Sequence, residues 1–391
     1  MESKKILILS HKPPYPKLDG GCIAIAQVLE ALLEQGHQIT FICMETDKHP
    51  STNTLQHENL NYKSVYVDTR INVFGALKNQ LSKQSYILSR FNQNVFNKKL
   101  RGILQSDSFD IVIFESLFTS SYLDTVNELS TAKKIYRSHN VEHLIWEEQS
   151  KSDCNIFLKK YLRQQARRLK KEEVNFWKSI EFIASISKAD SAHIAKFCSA
   201  KVNTVNVYVE NRHLEQVDSA SKIDFFHLGA MDWRPNQEAI YWLLNEVWPD
   251  LQKVENYAEI HIAGRGMPKK LINRKQKGFF NHHEVINALE FISEHKVMLV
   301  PLFSGSGIRV KIIEGMAMGK CIISTNIGVE GISCTDKKNV LIANTKEEFI
   351  EAIKFCIQNP ERVNNIGAEA KKYAVENFSK GVITNQLNKL L

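Results

Sequence analysis

The sequence contains no hydrophobic run long enough to cross a membrane. The apolar stretch near its start, Ile6 to Leu9, is far shorter than the about 18 residues that a spanning helix requires, and prolines follow soon after it. A secretory signal would need a longer apolar region and a cleavage site of small residues. We therefore interpret this stretch as a first β-strand and expect a cytoplasmic protein.

Cysteine is sparse and shows no pairing pattern. The seven cysteines are an odd number, and no two of them have the short spacing of a zinc or redox site. They are Cys22, Cys43, Cys154, Cys198, Cys321, Cys334 and Cys356. A chain of 391 residues can bury about 75% of its unfolded surface, so it needs no disulfide or metal for stability. We expect reduced, mostly buried thiols.

Charge of neither sign dominates the composition. The net charge is +8, with 43% hydrophobic and 24% charged residues, which is typical of a globular chain. At roughly 150 residues per domain, the length indicates two or three domains. The positive excess permits anionic partners such as sugar nucleotides, phospholipid surfaces or nucleic acid.

Internal repeats and low-complexity segments are also absent, and short β-branched runs alternate instead with segments of helical spacing. This alternation is typical of parallel sheets covered by helices. The first series of predicted strands is Lys5 to Leu9, Ile39 to Met44, Lys63 to Val67, Ile111 to Glu115, Lys134 to Tyr136, Phe182 to Ser185 and Val202 to Tyr208. The second is Asp224 to Leu228, Glu259 to Ala263, Val297 to Val300, Cys321 to Ser324 and Val340 to Ile342. Because the chain turns polar from about Asn211 to Ser221, we predict two similar α/β domains with a cleft between them.

Paired glycines follow the first predicted strand, at the amino end of the next predicted helix. Gly20 and Gly21 let the backbone approach a ligand closely, and the helix dipole there favours a phosphate. Ligands of open α/β sheets bind at the carboxyl ends of the strands, where this loop lies. The segment is not the three-glycine dinucleotide fingerprint, and a flexible turn is the alternative interpretation.

The most informative segment is VPLFSGSGIRVKIIEGMAMGK, from Val300 to Lys320. A predicted strand leads into a Gly-Ser-Gly loop, Gly305 to Gly307, and then into a helix that carries Arg309, Lys311 and Glu314. An arginine grips phosphate oxygens with its fork, a lysine adds a point charge, and a glutamate can accept two hydrogen bonds from the hydroxyls of a ribose. The alternative is a solvated helix face whose charges pair at helical spacing.

The run GSGIRVKIIEGMAMGKCIISTNIGVEGI resembles the donor-binding segment of family-4 glycosyltransferases (glycosyl transferases group 1), which are retaining enzymes of the GT-B fold. FHLGAMDWRPNQEAIYWLLNEVWP is similar to the opening of the carboxyl-terminal domain in one branch of that family, and RSHNVEHLIWEE to its first-domain acceptor loop. The resemblance implies two Rossmann-like domains facing each other across a cleft. They would be an acceptor-binding domain over 1–210 and a nucleotide-sugar-binding domain over 222–375, with a helix over 376–391 packing back on the first.

The resemblance also implies roles for individual residues. Glu314 would bind the ribose, and His139 would be the active-site histidine near the transferred sugar. Gly264 and Phe280 match segments that border the nucleobase. The implied catalytic residues are His139 and Glu314, and the implied donor-binding set is Gly20, Gly21, Gly264, Phe280, Gly305, Ser306, Gly307, Arg309, Lys311 and Glu314.

The sequence departs from the family pattern in two places. The family often carries a second glutamate eight positions before the first, and Ser306 stands there instead. The common Arg and Lys pair after the first strand of the second domain is missing, because Gly229 is followed by Ala-Met-Asp. We expect Arg309 and Lys311 to supply the missing cations.

No Asp-x-Asp triplet occurs, although enzymes that hold a sugar nucleotide through a metal usually show one. We therefore expect a metal-independent hexosyltransferase without a cofactor, in which Arg309, Lys311 and the helix amino end neutralise the leaving diphosphate of a UDP or GDP type donor. No carboxylate pair stands out as the nucleophile and acid of a hydrolase. The resemblance implies retention of configuration, a glycan or lipid-linked acceptor, and a role in cell-surface polysaccharide or lipopolysaccharide biosynthesis.

Two other enzyme classes stay open. A sugar-nucleotide epimerase of the same fold would need no acceptor. A zinc hydrolase would use His139, Glu142 and His143, which spell H-x-x-E-H, although the motif directly follows a predicted strand and no third ligand can be singled out. If His139 acts on the sugar, we expect His143 to pack or to face water. We expect His282 and His283 to lie solvated in a polar loop.

The segment Phe157 to Lys171, FLKKYLRQQARRLKK, has seven basic residues and no acidic one. Its apolar residues keep helical spacing, which predicts a basic amphipathic helix. At about 1 kcal/mol per cation near anionic lipid, this helix would hold the protein on the inner face of a membrane. The alternative is a helix that packs by its apolar stripe and solvates its basic face. Nucleic-acid binding is not expected, because no binding motif accompanies this single helix.

Overall fold

The computed structural model describes residues 2–52, 55–152, 155–215, 222–305 and 307–391. Cys154, Ser306 and most of the predicted polar boundary therefore lie outside the described residues. The chain divides into two compact units, which are Met1–Val207 with Ile383–Leu391, and Tyr208–Val382. The six described cysteines are free thiols, and four of them are buried. Across the described ranges, no helix combines the length and the apolar character needed to cross a bilayer.

The first unit is built on a seven-stranded parallel sheet in the order β3-β2-β1-β4-β5-β6-β7. The strands are β1 (Lys5–Ser10), β2 (Gln38–Glu45), β3 (Leu60–Tyr66), β4 (Ile111–Glu115), β5 (Lys133–Ser138), β6 (Phe182–Ser185) and β7 (Lys201–Thr204). The helices are α1 (Gly20–Glu34), α2 (Val73–Asn79), α3 (Tyr86–Ser89), α4 (Asn94–Ser106), α5 (Leu123–Leu129), α6 (Glu142–Ser152), α7 (Ile156–Lys178) and α8 (Lys188–Ile194). The central strands are almost continuous apolar runs, because helices cover both faces of the sheet.

The second unit is built on a six-stranded parallel sheet in the order β10-β9-β8-β11-β12-β13. The strands are β8 (Phe225–Leu228), β9 (Ile260–Ala263), β10 (Phe279–His283), β11 (Val297–Val300), β12 (Cys321–Ser324) and β13 (Leu341–Ile342). The helices are α9 (Asn211–Glu215), α10 (Arg234–Trp242), α11 (Trp248–Val254), α12 (Lys269–Ile272), α13 (Ala288–Glu294), α14 (Val310–Ala317), α15 (Lys346–Gln358), α16 (Pro360–Phe378) and α17 (Lys380–Asn388), the last of which runs on into the first unit.

Every predicted strand overlaps a strand of the structure, but β10 was not predicted. The expectation that His282 and His283 lie in a polar loop is therefore wrong, because both belong to this strand. The reason is its position at the edge of the sheet, where it pairs only with β9 and buries little of its surface. An edge strand of this kind carries no apolar run that would reveal it in the sequence.

The last residues return to the first unit. Lys4 Nζ donates a hydrogen bond to the carbonyl of Leu391 at 2.6 Å, and Lys133 Nζ donates one to the carbonyl of Leu390 at 2.7 Å. Ile383, Leu387 and Leu390 are buried. This segment thus packs as an integral part of the first unit.

Candidate active site

A buried polar cluster lies at the carboxyl ends of β4 and β5 in the first unit. Glu115 is the last residue of β4, and it faces Arg137 near the end of β5 and His139 just after it. Arg137 Nη1 lies 3.1 Å from Glu115 Oε2, and His139 Nε2 lies 2.6 Å from the same oxygen. All three side chains are at most 7% exposed. Parallel strands end at one edge of a sheet, which is why residues distant in sequence meet here.

The protonation of this cluster follows from its surroundings. Burial lowers the pKa of His139 although Glu115 acts to raise it, so the ring is neutral at pH 7. Burial acts to raise the pKa of Glu115, but Arg137 and His139 outweigh it and the carboxyl is ionised. Because a carboxylate only accepts, the proton of the neutral ring sits on Nε2 of His139. Its Nδ1 is then an acceptor for a hydroxyl group.

The Gly20-Gly21 loop begins α1 in the same unit. Asp19 caps this helix, because its Oδ1 accepts a hydrogen bond from the amide of Cys22 at 2.9 Å. Lys12 Nζ lies 2.7 Å from the same oxygen. A Cβ on Gly21 would lie 2.5 Å from Lys12 Nζ, so a side chain at this position would displace the end of the Lys12 side chain. An anion bound at this helix end would therefore share it with the carboxylate of Asp19.

The H-x-x-E-H motif does not form a metal site in the structure. Helix α6 begins at Glu142, so His139 lies before the helix and turns toward Glu115. His143 is fully buried, which confirms the expectation that it packs, and its Nδ1 lies 2.7 Å from Oε2 of Glu173 on α7. Among the described residues, the groups of side chains that could hold a metal ion include neither histidine. The geometry therefore does not favour a zinc hydrolase at this motif.

In the second unit, a glycine-rich loop leads from β11 into α14. Gly305 and Gly307 have φ angles of 97° and 82°, which glycine adopts without strain. The side chain of Arg309 turns back on this loop, where its Nη1 donates a hydrogen bond to the carbonyl of Gly307. Its guanidinium carbon also lies 5.7 Å from the ring centre of Trp233. The guanidinium is buried against the loop, and burial lowers its pKa.

Lys311 reaches from α14 toward the end of β8. Its Nζ donates a hydrogen bond to Oδ1 of Asn236 at 3.0 Å and lies 3.2 Å from Nε2 of His227. Nδ1 of His227 donates to the carbonyl of Leu299 at 2.7 Å, so Nε2 is an acceptor, and burial lowers the pKa of this histidine well below its usual value. Burial and the charge of Arg309 lower the pKa of Lys311 to about 7. These hydrogen-bond partners are neutral, so no carboxylate among them balances the lysine charge.

Glu314 lies in the second turn of α14 and is loosely held. Its Oε1 is 3.5 Å from Nε2 of His213, which is longer than a strong charge-assisted hydrogen bond, and its side chain is 25% exposed. The carboxylate therefore has accepting capacity for a ligand. Because Lys311 lies three residues earlier on the same helix, one element presents both a cation and an acceptor.

The backbone turns after β8 and β9 lie against each other. A Cβ on Gly264 would be 1.8 Å from the carbonyl oxygen of Gly229, so only glycine fits there. A Cβ on Gly229 would in turn be 2.9 Å from Lys311 Nζ. The structure thus brings Gly264, Gly229 and Lys311 together at the carboxyl ends of β8 and β9.

Phe280 lies elsewhere. It is the second residue of β10, and its ring stacks on His261 of β9 with 4.8 Å between ring centres and an angle of 10°. It therefore belongs with the histidines beside β9, whereas Lys311 and Glu314 belong with α14. Ser306, the other predicted donor ligand in the glycine loop, lies outside the described residues.

Sequence reasoning missed several polar residues that complete these sites. Glu115 contacts both His139 and Arg137, while His227 and Asn236 hold Lys311. Glu115 was detectable in principle, because a glutamate ends an otherwise apolar predicted strand. The others gave no local signal, since their partners lie 22 to 84 positions away in the chain.

Comparison with known proteins identifies the fold. Residues 222–359 match the family model described as Glycosyl transferases group 1. An uncharacterized 44.6 kDa protein in the cps region of Klebsiella pneumoniae is 22% identical over 97% of this chain and 98% of its own length. These findings support a relationship of this chain to the group 1 glycosyltransferase family.

Solved structures of similar shape cover both units. Sucrose-phosphate synthase from Thermosynechococcus elongatus superposes with a TM-score of 0.74 at 12% identity, over 99% of this chain and 98% of its own. HepE of Anabaena, in complex with UDP and glucose, gives 0.67 at 12% identity over 99% and 98%. TarM gives 0.71 at 11% identity over 100% and 99%. The predicted two-domain α/β GT-B fold is confirmed.

Proposed function

We propose that this protein is a retaining hexosyltransferase that moves a sugar from a nucleoside-diphosphate donor to a glycan or lipid-linked acceptor. The observation that carries this proposal is α14, where Lys311 and Glu314 follow a glycine loop at the carboxyl end of β11. In this arrangement the second unit binds the nucleoside diphosphate and the first unit binds the acceptor.

Lys311 is the group best suited to the diphosphate. It is partly buried among neutral hydrogen-bond partners, so an anionic ligand would supply the counter-charge that these partners do not. Its Nζ also reaches the turn after β8 at Gly229, where the resembling family has an Arg and Lys pair that this chain lacks. We infer that Lys311 replaces that pair, and that Arg309 mainly shapes the glycine loop beside it.

Glu314 would bind the donor ribose. An ionised carboxylate accepts from two hydroxyl groups at once, and the described contacts of Glu314 leave that capacity available. Hydrogen bonds to a charged group are worth about 1.5 to 3 kcal/mol each, so this residue would contribute much of the nucleoside binding.

The reaction follows from the same groups. The bond between the sugar C1 and the donor phosphate oxygen breaks, the acceptor oxygen bonds to C1 on the same face, and the acceptor proton passes to the departing phosphate. Lys311 and the amino end of α14 stabilise the negative charge that develops on the diphosphate, without need of a metal. His139 Nδ1 would accept a hydrogen bond from a sugar hydroxyl, held in place by Glu115.

The relatives are consistent with this chemistry. HepE has been solved with UDP and glucose, and TarM of S. aureus with UDP and alpha-GlcNAc-glycerol, so proteins of this shape take a nucleotide and a sugar. The Klebsiella relative is described by its place in a cps region, which supports a role in cell-surface polysaccharide biosynthesis.

We further propose that α2 and α7 hold the protein on an anionic membrane surface. All apolar side chains of α2 are accessible, with Phe74 83% exposed, and Phe157 at the start of α7 is 87% exposed. Arg168 of α7 donates to the backbone at the end of α2, with Nη1 3.0 Å from the carbonyl of Asn79. The apolar stripe of α7, Leu162, Ala166 and Leu169, is buried, so the membrane contact would come from the exposed rings and the seven basic residues of Phe157 to Lys171.

Binding to vesicles tests the membrane proposal. The double variant Phe74→Ser with Phe157→Ser should lose most binding to vesicles that contain anionic lipid, because each exposed ring contributes apolar area. Tyr257→Ser, which removes an exposed aromatic ring of the second unit, is the matched control and should bind normally. Equal binding by both variants would contradict this orientation.

Ligand-induced stabilisation tests the transferase proposal. The purified chain is heated with UDP, GDP, ADP, CMP or their sugar derivatives, where a ligand at 100 times its dissociation constant adds about 2.7 kcal/mol. We expect one nucleoside diphosphate to stabilise the wild type but not Glu314→Ala. Its sugar derivative should yield product only when an acceptor is present, whereas conversion without acceptor would indicate an epimerase. No stabilisation by any nucleotide would overturn the proposal.

A further inference from the structure

Three histidines from separate segments of the second unit converge beside β9. His261 lies on β9, His282 on β10, and His295 between α13 and β11. One ligand nitrogen from each lies within 4.8 Å of the other two, and Nδ1 of His261 is 2.9 Å from Nε2 of His282. The rings of His261 and His295 have centres 4.3 Å apart. We name these residues the three-histidine cluster.

Asp224 orients one member of the cluster in the way that metal sites require. Its Oδ2 lies 2.6 Å from Nδ1 of His295. The carboxylate only accepts, so the proton of a neutral ring sits on Nδ1 and leaves a lone pair on Nε2. That Nε2 atom is buried and has no hydrogen-bond partner among the described residues. A carboxylate behind a histidine is the usual support of a metal-bound imidazole.

The other two rings are also set for coordination. His261 contributes a buried Nε2 atom that has no hydrogen-bond partner among the described residues. His261 is mostly buried, whereas His282 is exposed and gives access from solvent. The three imidazoles thus bring together nitrogen atoms that can coordinate one ion.

We propose that His261, His282 and His295 bind one Zn²⁺ ion, with Asp224 as a positioning residue and water in the fourth place. Imidazole nitrogens bind zinc at about 2.0 to 2.1 Å, which sets ligand nitrogens about 3.3 Å apart in a tetrahedral site. The ligand nitrogens lie within 4.8 Å of one another, and the exposed ring of His282 can rotate to adjust these distances. The spacing of the three residues matches no short motif, so no sequence pattern indicates the site.

The ion would fasten the edge of the second sheet. It would join β10, which among the described strands pairs with β9 alone, to the segment that enters β11. None of its ligands lies on α14, so this inference does not depend on the proposed transferase function. Zinc binding and nucleotide binding are therefore measured separately.

Equilibrium zinc binding by the untagged full-length chain tests this site. Protein freed of metal with a chelator is titrated with Zn²⁺, and bound metal is counted by elemental mass spectrometry. We expect about one zinc per chain, at least tenfold weaker binding in His282→Ala, and 10- to 100-fold weaker binding in Asp224→Asn. Bound Co²⁺ should show the visible spectrum of a four-coordinate ion.

His283→Asn is the matched control. His283 neighbours His282 on the same strand and is also exposed, and asparagine tolerates its φ of 55°. This variant should bind zinc as the wild type does. The proposal is overturned if the wild type takes up no zinc at stoichiometric concentration, or if His282→Ala binds as tightly as His283→Asn. Circular dichroism of the metal-free variants separates loss of the site from loss of folding.

Discussion

The two units both place charged side chains at the carboxyl ends of parallel strands, but they balance the charge differently. In the first unit, Glu115 is paired with Arg137 and hydrogen-bonded by a neutral His139, so the cluster is compensated internally. In the second, Lys311 is hydrogen-bonded by neutral His227 and Asn236. A compensated cluster fixes geometry, whereas a cation among neutral groups favours an anionic ligand.

This difference indicates a division of labour. The first unit offers a positioned neutral acceptor, Nδ1 of His139, which suits a sugar hydroxyl. The second offers a cation and a carboxylate on one helix, which suit a diphosphate and a ribose. Variants in the second unit should therefore change nucleotide affinity, and variants in the first should change stability or turnover.

The largest effect is expected from Glu314→Ala. Loss of two hydrogen bonds to a carboxylate, at about 1.5 to 3 kcal/mol each, should lower kcat/KM by roughly 10² to 10⁴-fold. Initial transfer rates measure this loss, and the melting temperature should stay near that of the wild type. Glu351→Ala removes a mostly exposed glutamate of the same unit and is the control. A loss below tenfold would contradict ribose binding by Glu314.

A substitution in the compensated cluster of the first unit should instead lower the free energy of unfolding. Glu115→Gln leaves Arg137 buried without its counter-charge, so the free energy of unfolding should fall by about 3 to 5 kcal/mol. Denaturant unfolding measures the change. In the same unit, Glu128→Gln breaks the exposed pair with Arg101 and should cost far less, because both groups stay solvated. Equal costs would mean that burial of the cluster is unimportant.

Lys311 should make nucleotide affinity depend on pH. Its pKa of about 7 must rise when an anion binds, so binding takes up a proton once the free lysine is neutral. Affinity for the nucleoside diphosphate should therefore fall above about pH 7, by at most tenfold per pH unit. Calorimetry between about pH 7 and pH 9 measures this dependence. Lys311→Arg stays charged and should give a flat profile, and an equally steep profile in that variant would refute the assignment.

The smallest effect is expected from His139→Ala. Loss of one hydrogen bond from a neutral ring, worth about 0.5 to 1.5 kcal/mol, should lower turnover by roughly 2- to 12-fold. Affinity for the nucleoside diphosphate should not change, because His139 belongs to the other unit. His57→Ala, at an exposed histidine of the first unit, controls for the substitution. A large loss of nucleotide affinity in His139→Ala would contradict the assignment of nucleotide binding to the second unit.

Most of the fold was predictable because the central strands are buried on both faces. A strand such as β1 contains an uninterrupted apolar run, Ile6 to Leu9, and extends only one residue beyond it at each end. Strand β10 escaped prediction because it lies at the sheet edge and carries Asn281, His282 and His283. Its place is fixed by backbone pairing with β9, which leaves no periodic signal.

The candidate site was predictable only where its residues are adjacent in sequence. The glycine loop, Lys311 and Glu314 occupy one segment, and the structure keeps them on one strand-loop-helix element. The partners His227 and Glu115 arrive through the topology of each sheet, which sequence spacing does not encode. The same topology disfavours the zinc hydrolase alternative. His139 and His143 lie in one short motif, but they contact different carboxylates, Glu115 on β4 and Glu173 on α7.

The return of Ile383–Leu391 to the first unit has a consequence for synthesis on the ribosome. At about 5 to 20 residues per second, the second unit takes about 10 to 35 s to emerge, and throughout that time the first unit lacks its final segment. Lys4 and Lys133 then have no access to the carbonyls of Leu391 and Leu390. During this time the first unit would be incompletely packed, and the surface that Leu387 and Leu390 later cover would be accessible to chaperones.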